Sequence, residues 1–297
     1  MLSSNRHILS GIVLVVLMID LVLFQQVLAY KHPSPHQSDA SDKNITHETD
    51  IVHFSCPYTT AEYPPRQTIN RSLIKAKAVN ISHHLLARDM IADTLNRISP
   101  DYKTVIIIGP NHRELGADSA VTSWSKWHTP FGVIEPDSVL LHQLVSNNIV
   151  RVHEDIFTVE HSVCGLVSFV KRYFPGATVV PIVLKANSPS EKNQQLGTYL
   201  SQTCTDCLLI TSVDFSHNVS VEQASVNDIR SSRILTKLEK DHIDQIVADS
   251  RPTLETLMYY LKDQNVSSGE LIHMSDSNKV SNQNLPTVTS YLTIIYQ

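Results

Sequence analysis

Three short strings in the chain place imidazole and carboxylate groups where chemistry can be done. "KAVNISHH" ends in His83 and His84, "TVIIIGPNH" in His112, and "CLLITSVDFSH" in Asp214 and His217. Each starts as an apolar run of strand type and finishes on residues that bind metals or move protons. Ligands of open α/β sheets gather outside the carboxyl ends of the strands, so these residues are expected to converge although they lie far apart in sequence. A fourth, His161 in "VEHSVCG", begins a predicted helix that can point it at the same cleft.

Neutral imidazoles suit iron, copper or zinc, and two His with an anionic third donor leave positions open for a substrate or dioxygen. A carboxylate bonded to the second ring nitrogen fixes a tautomer or raises basicity, the relation expected between Asp214 and His217. Taken singly, each residue has a plainer use. A strand-end His caps or faces solvent, Asp214 can cap the turn after its strand, and Glu160-His161-Ser162 makes a helix start with Ser162 as cap. Recurrence at three strand ends is what argues for one site. Ser212, Asp214 and His217 are also triad residue types, but no G-x-S-x-G elbow frames them, which argues against a hydrolase.

To bring these side chains together the chain needs parallel strands. From Lys75 onward apolar runs alternate with amphipathic stretches, as in βαβ units. "KAVNI", "TVIIIG", "TVVPIVL" and "CLLITSV" read as strands, continuously apolar because both faces are covered. "TVTSYLTIIY" reads as a terminal strand after "GELIHMSDS". Apolar residues at helical spacing predict helices over residues 82–99, 137–148, 161–174 and 253–262. A longer helical region is expected over 221–250, with Ile229, Ile234, Leu238 and Ile243 on one stripe. Gly109-Pro110 is expected to turn His112 into the cleft. The expected fold class is α/β: one three-layer domain, residues 67–297, with a mostly parallel central sheet flanked by helices.

Composition limits the partners. With 297 residues and 42% hydrophobic content, the chain can bury a sizeable core. A formal charge of −5 without a Lys/Arg cluster removes the electrostatic footprint of a nucleic-acid binder, leaving a small molecule or a metal as the expected ligand. Fifteen His against two Trp add weight to metal or proton chemistry. Residues 1–29 read as a signal peptide or signal anchor: Arg6 and His7 precede the apolar run, and Val27 and Ala29 occupy the small-residue positions of a cleavage site. Asp20 interrupts that run, which favours cleavage slightly over anchoring through residues 8–28. The expected location is therefore exported or membrane-anchored, outside the cytoplasm. Residues 30–66 read as a polar linker or surface wrap, with His32, His36, His47 and His53 solvated. Cys56, Cys164, Cys204 and Cys207 can oxidise in an exported chain. Cys204-Thr-Asp-Cys207, with no second such pair, is expected to be a local disulfide or two free thiols.

In this order the strings resemble the Memo family, also called AmmeMemoRadiSam system protein B, whose fold is related to the class III extradiol ring-cleaving dioxygenases. "KAVNISHHL" stands at the family's first His strand, often P-H-A-G-Y, and "VIIIGPNH" at its GP-S/N-H segment. "WHTPFGVIEPD", "VEHSVCGLVSFVKRYFP", "VVPIVL" and "TSVDFSH" follow in the family's order. The resemblance implies metal ligands at His83 and His112 for iron or copper. It also implies a catalytic acid–base at His217 with Asp214 beside it, and substrate-binding positions at His161 and His84. The sequence departs from the family pattern in "HHLL" for H-A-G-Y and in Cys164 or Gly165 for an acidic residue. The family's Cys ligand has no counterpart, with "SSG" (Ser267 to Gly269) in that region. The resemblance thus implies a metal- or ligand-binding cleft lacking its third donor, the alternative being an active dioxygenase-type enzyme.

Overall fold

In the computed structural model of the chain, the described residues are 52–56, 59–67 and 72–297. The strands in chain order are β1 (Val52–Phe54), β2 (Ala78–Ile81), β3 (Thr104–Pro110), β4 (Ala120–Thr122), β5 (Lys126–Thr129), β6 (Gly132–Ile134), β7 (Arg151–Val152), β8 (Thr178–Leu184), β9 (Cys207–Ser212), β10 (Gly269–Asp276) and β11 (Ser290–Tyr296). The α-helices are α1 (Arg88–Asn96), α2 (Ser138–Ser146), α3 (Glu154–Phe157), α4 (His161–Tyr173), α5 (Ser190–Thr203), α6 (Val221–Thr236), α7 (Arg251–Asp263) and α8 (Ser277–Ser281). None of the described helices is long and apolar enough to cross a membrane, and residues 8–28 lie outside the described residues.

The main sheet runs β10-β11-β2-β9-β3-β8-β4-β7, and β1, β5 and β6 form a smaller one. β2, β9, β3 and β8 are mutually parallel, while β11 and β4 pair antiparallel on either side of them. β3 shows why this is a three-layer fold. Val105 and Ile107 enter one apolar core and Ile106 and Ile108 the other, so alternate side chains serve opposite faces. On the first face lie α1, α4 and the small sheet; on the second lie α2, α5, α6 and α7. Truncating a fully buried leucine such as Leu254 or Leu257 costs about 2–5 kcal/mol, because a packed interior closes poorly over a cavity. The α/β three-layer class expected from the sequence is the class observed.

Several elements differ from expectation for identifiable reasons. The 221–250 region is not one helix: α6 stops at Thr236, Leu238 takes a left-handed φ of 52°, and a 3₁₀ segment, Lys240–Gln245, follows. Ile229, placed on the apolar stripe, is 59% exposed. The helix expected from residue 82 begins later, as a 3₁₀ turn at Leu85–Ala87 leading into α1. α5 was not foreseen, because few apolar residues beyond Leu196 and Leu200 mark its buried face. Part of the segment read as a linker is structure: β1 pairs with β5, Tyr63 is buried, and Cys56 is disulfide-bonded to Cys164. His53, expected in solvent, is 4% exposed and bonds the Glu154 carboxylate. The other three His of that segment lie outside the described residues.

Candidate metal centre

Because β2, β9 and β3 are adjacent and parallel, their carboxyl ends lie side by side. His83 follows β2 after Ser82, His112 follows β3 after Asn111, and Asp214 follows β9 after Val213. Gly109 and Pro110 are not a turn, since both belong to β3 and pair with Val183 and Leu184 of β8. The role of Gly109 is close approach: a Cβ there would stand 2.8 Å from the Ser162 side chain. A Cβ on Gly165 would come within 3.1 Å of the His83 carbonyl oxygen. These two glycines let the first turn of α4 lie against the strand ends, which brings Glu160 and His161 to the site.

The donors converge. His83 Nε2 lies 3.5 Å from Asp249 Oδ2 and 3.6 Å from Asp214 Oδ2, and His112 Nε2 lies 3.6 Å from the same Asp249 oxygen. The His83 and His112 rings meet edge to face at 5.0 Å, and His161 stacks on His112 at 4.1 Å. Two groups could hold a metal ion: His83 with His112 and His161, and His83 with Asp214 and Asp249. Asp249 immediately precedes Ser250, the N-cap of α7, and is docked by paired backbone contacts. Its amide donates to the Asp214 carbonyl at 3.0 Å, and the Asp214 amide donates to Asp249 Oδ2 at 3.2 Å.

Hydrogen-bond directions fix the rings. Ser212 Oγ donates to the Ser162 carbonyl at 2.6 Å, so it must accept from His83, whose Nδ1 is 3.1 Å away. His83 therefore carries its proton on Nδ1 and turns a bare Nε2 lone pair toward the carboxylates. His112 Nδ1 faces Glu160 Oε1 at 2.8 Å, which likewise leaves Nε2 pointing at Asp249. The Glu160 carboxylate also accepts from the backbone amides of His112 and Ser162. Its burial opposes charge, but the bonds from His112 and Ser162 prevail and hold it down at about 2. Burial likewise opposes a charged His112, and the Asp249 and Glu160 carboxylates outweigh it, raising it to about 9. In the protein alone, a proton fills the place between His112 and Asp249. Separations of 3.5–3.6 Å are too long for direct hydrogen bonds at ideal geometry. They match the span between donors that share one ion at about 2.0–2.2 Å. Asp249 Oδ1 is buried with no hydrogen-bond partner among the described residues. The other oxygen, Oδ2, faces both imidazole Nε2 atoms, a donor set that fits a cation once the His112 proton is displaced.

A family model described as Memo-like protein matches residues 66–295. The chain belongs to the Memo-like protein family. Among its relatives, a MEMO1 family protein of Caldivirga maquilingensis is 28% identical over 207 residues, 65% of this chain and 72% of that one. One of Aquifex aeolicus is 29% identical over 161 residues, 52% of this chain and 59% of that one. One of Pyrobaculum arsenaticum is 33% identical over 140 residues, 44% and 48% respectively. The chain thus spans from about half to under three quarters of the length of these relatives. A crystal structure of an uncharacterized protein from Escherichia coli K12 superposes with a TM-score of 0.47 at 10% identity, over 73% of this chain and 98% of that one.

In this Memo-like chain the structure brings His83, His112, His161 and Asp214 together. His84 and His217 line the same cavity, of about 380 Å³, with Cys56 and Thr289. The Asp214–His217 pairing is not formed: Asp214 Oδ1 accepts from Ser82 Oγ and Oδ2 faces His83, while His217 is exposed at the rim. Ser162 does not cap α4. Glu160 does, and the Ser162 hydroxyl donates to the Pro110 carbonyl instead. The stretch Ser267 to Gly269, in the region of the family's Cys ligand, leads into β10, and all four cysteines are paired, Cys56–Cys164 and Cys204–Cys207. The carboxylate oxygen that faces both imidazoles is that of Asp249. Sequence reasoning missed Asp249 and the positioning roles of Glu160 and Ser212. The one local signal was "ADSRP", an N-cap serine with proline in the first turn, which marks a helix start rather than a ligand.

Proposed function

We propose that His83, His112 and Asp249 hold a divalent transition metal, iron in first place and copper as the alternative, and present it to a small molecule in the adjoining cavity. Two imidazoles and one carboxylate with open positions are the donor set of non-haem iron oxygenases, and when bound such an ion supplies Lewis-acid or dioxygen chemistry. The convergence of one Asp249 oxygen, Oδ2, on the Nε2 atoms of His83 and His112 at 3.5 and 3.6 Å carries this reading. Ser212 and Glu160 orient the imidazoles, of which His83 is buried and His112 open to solvent. His161, half-exposed and stacked on His112, and His84 contact the ligand. His217, on the rim, exchanges protons with it. Membership of the Memo-like family and the resemblance to ring-cleaving dioxygenases support an oxidoreductase class.

A second reading, binding without turnover, is favoured by Asp214, which stands close enough to His83 to fill a position a substrate would need. Metal analysis of purified protein and of a His83→Ala/His112→Ala double variant tests the centre. Stoichiometric iron or copper lost in the variant supports it, and metal content unchanged by the variant refutes it. Dioxygen uptake by iron-loaded protein with catecholic substrates then separates turnover from binding. The two disulfides support an oxidising, extracytoplasmic location, as does the apolar N-terminal run. Fractionation of cells with N-terminal sequencing of the mature chain tests export against anchoring.

A further inference from the structure

His83 and His84 are neighbours in sequence and line one cavity, yet their rings are held by opposite kinds of partner. His83 Nδ1 gives its proton to Ser212, whereas His84 Nδ1 meets the Tyr291 hydroxyl at 2.6 Å. Tyr291 lies in β11 and is fully buried, and among the described residues its hydroxyl has no other partner. A buried hydroxyl proton left without an acceptor is costly, so Tyr291 donates and His84 Nδ1 accepts. The two rings meet edge to face at 5.6 Å. The His84 backbone is pinned as well, its amide donating at 2.9 Å to Ser82 Oγ, which in turn donates to Asp214. Nε2 of His84 has no hydrogen-bond partner among the described residues, and His84 lines the cavity.

We infer that Tyr291 is a positioning residue: its hydroxyl holds His84 in the tautomer protonated at Nε2, so the cavity offers a fixed hydrogen-bond donor to an acceptor oxygen of the bound ligand. The site then has two polarities. His83 turns a lone pair inward, and His112 does so once a cation displaces its proton, whereas His84 turns an N–H inward. The ligand chemistry this recognises is a small chelating oxyanion, such as a carboxylate or phenolate, with one oxygen at the metal and another at His84. The position of the ligand rests on the metal-centre reading; the tautomer does not.

Two-bond ¹H–¹⁵N correlation spectra of metal-free, ¹⁵N-histidine-labelled full chain test the tautomer, with His84→Gln assigning the signals. The expected result is an Nε2–H form for His84 that becomes a tautomer mixture in Tyr291→Phe, a change that leaves the ring volume in place. An Nδ1–H form in the unaltered protein, or no change in Tyr291→Phe, overturns the inference. Calorimetric titration of zinc-loaded protein with oxalate reads the donor role, with Tyr291→Phe expected to bind roughly three- to tenfold more weakly. Equal affinity overturns that role. Failure of the unaltered protein to take up zinc refutes the metal centre instead, while the metal-free spectra still decide the tautomer.

Discussion

Two partly buried carboxylates face histidines, and they are treated in opposite ways. Glu154, at the start of α3, accepts from His53, from the hydroxyls of Ser123 and Ser125, and from the Trp124 amide. Burial disfavours its charge, and these four bonds outweigh burial and pull its pKa below the ordinary carboxylate value. Asp249 has one amide bond on Oδ2 and nothing on Oδ1. A carboxylate that fastens structure has its acceptor capacity filled by donors, here tying β1 and the loop before β5 to α3. One with an unfilled oxygen, and a second oxygen that faces two imidazole Nε2 atoms, is arranged for an ion.

The largest effect that separates them is on stability. Glu154→Ala strands a buried His53 and two serine hydroxyls, and unfolding by denaturant is expected to show a loss of roughly 3–5 kcal/mol with metal stoichiometry unchanged. A metal loss equal to that of the His83→Ala/His112→Ala variant would erase the distinction.

A third buried carboxylate sharpens the comparison because a proton neutralises it. Asp228 accepts from Ser290 and lies near Asp276 and Lys279; burial raises it from 3.8 to about 6. The folded state then binds the proton more tightly than the unfolded chain. Stability falls as pH rises from about 4 to about 6, and the penalty is complete above that. Asp228→Asn is expected to match the unaltered protein near pH 4 and to exceed it by about 2–3 kcal/mol at pH 7.5, measured by denaturant midpoints at both pH values. A constant difference across that range would contradict the assignment.

A smaller effect is expected at Ser212, which touches no ion. Ser212→Ala frees the His83 ring to rotate and should weaken metal binding about 10–100-fold while leaving the stoichiometry intact. Chelator competition reads the change, and an unaltered affinity would remove Ser212 from the positioning of His83.

What was legible in the sequence follows the same division. β2, β3 and β9 were legible because strands covered on both faces must be apolar throughout, and their parallel order predicts convergence of His83, His112 and Asp214. Asp249 was not legible. It reaches the site through a loop whose position depends on how the chain turns at Leu238 after α6 and is capped at Ser250 before α7, and no periodicity encodes that. Glu160 could be read as part of a helix start, but its second role, on His112, depends on the close approach that Gly109 permits. His53 sits among polar residues typical of a linker, and only the Cys56–Cys164 disulfide and the β1–β5 pairing bury it.

The most direct measurement is iron(II) titration, under anaerobic conditions, of the unaltered protein and of Asp249→Ala. One equivalent bound by the unaltered chain is predicted, with affinity lowered about 100-fold or more in the variant and apo-protein stability somewhat lower, since His112 loses a carboxylate that shares its proton and the Asp214 amide loses its acceptor. Equal affinity in the two proteins would contradict a centre built on His83, His112 and Asp249.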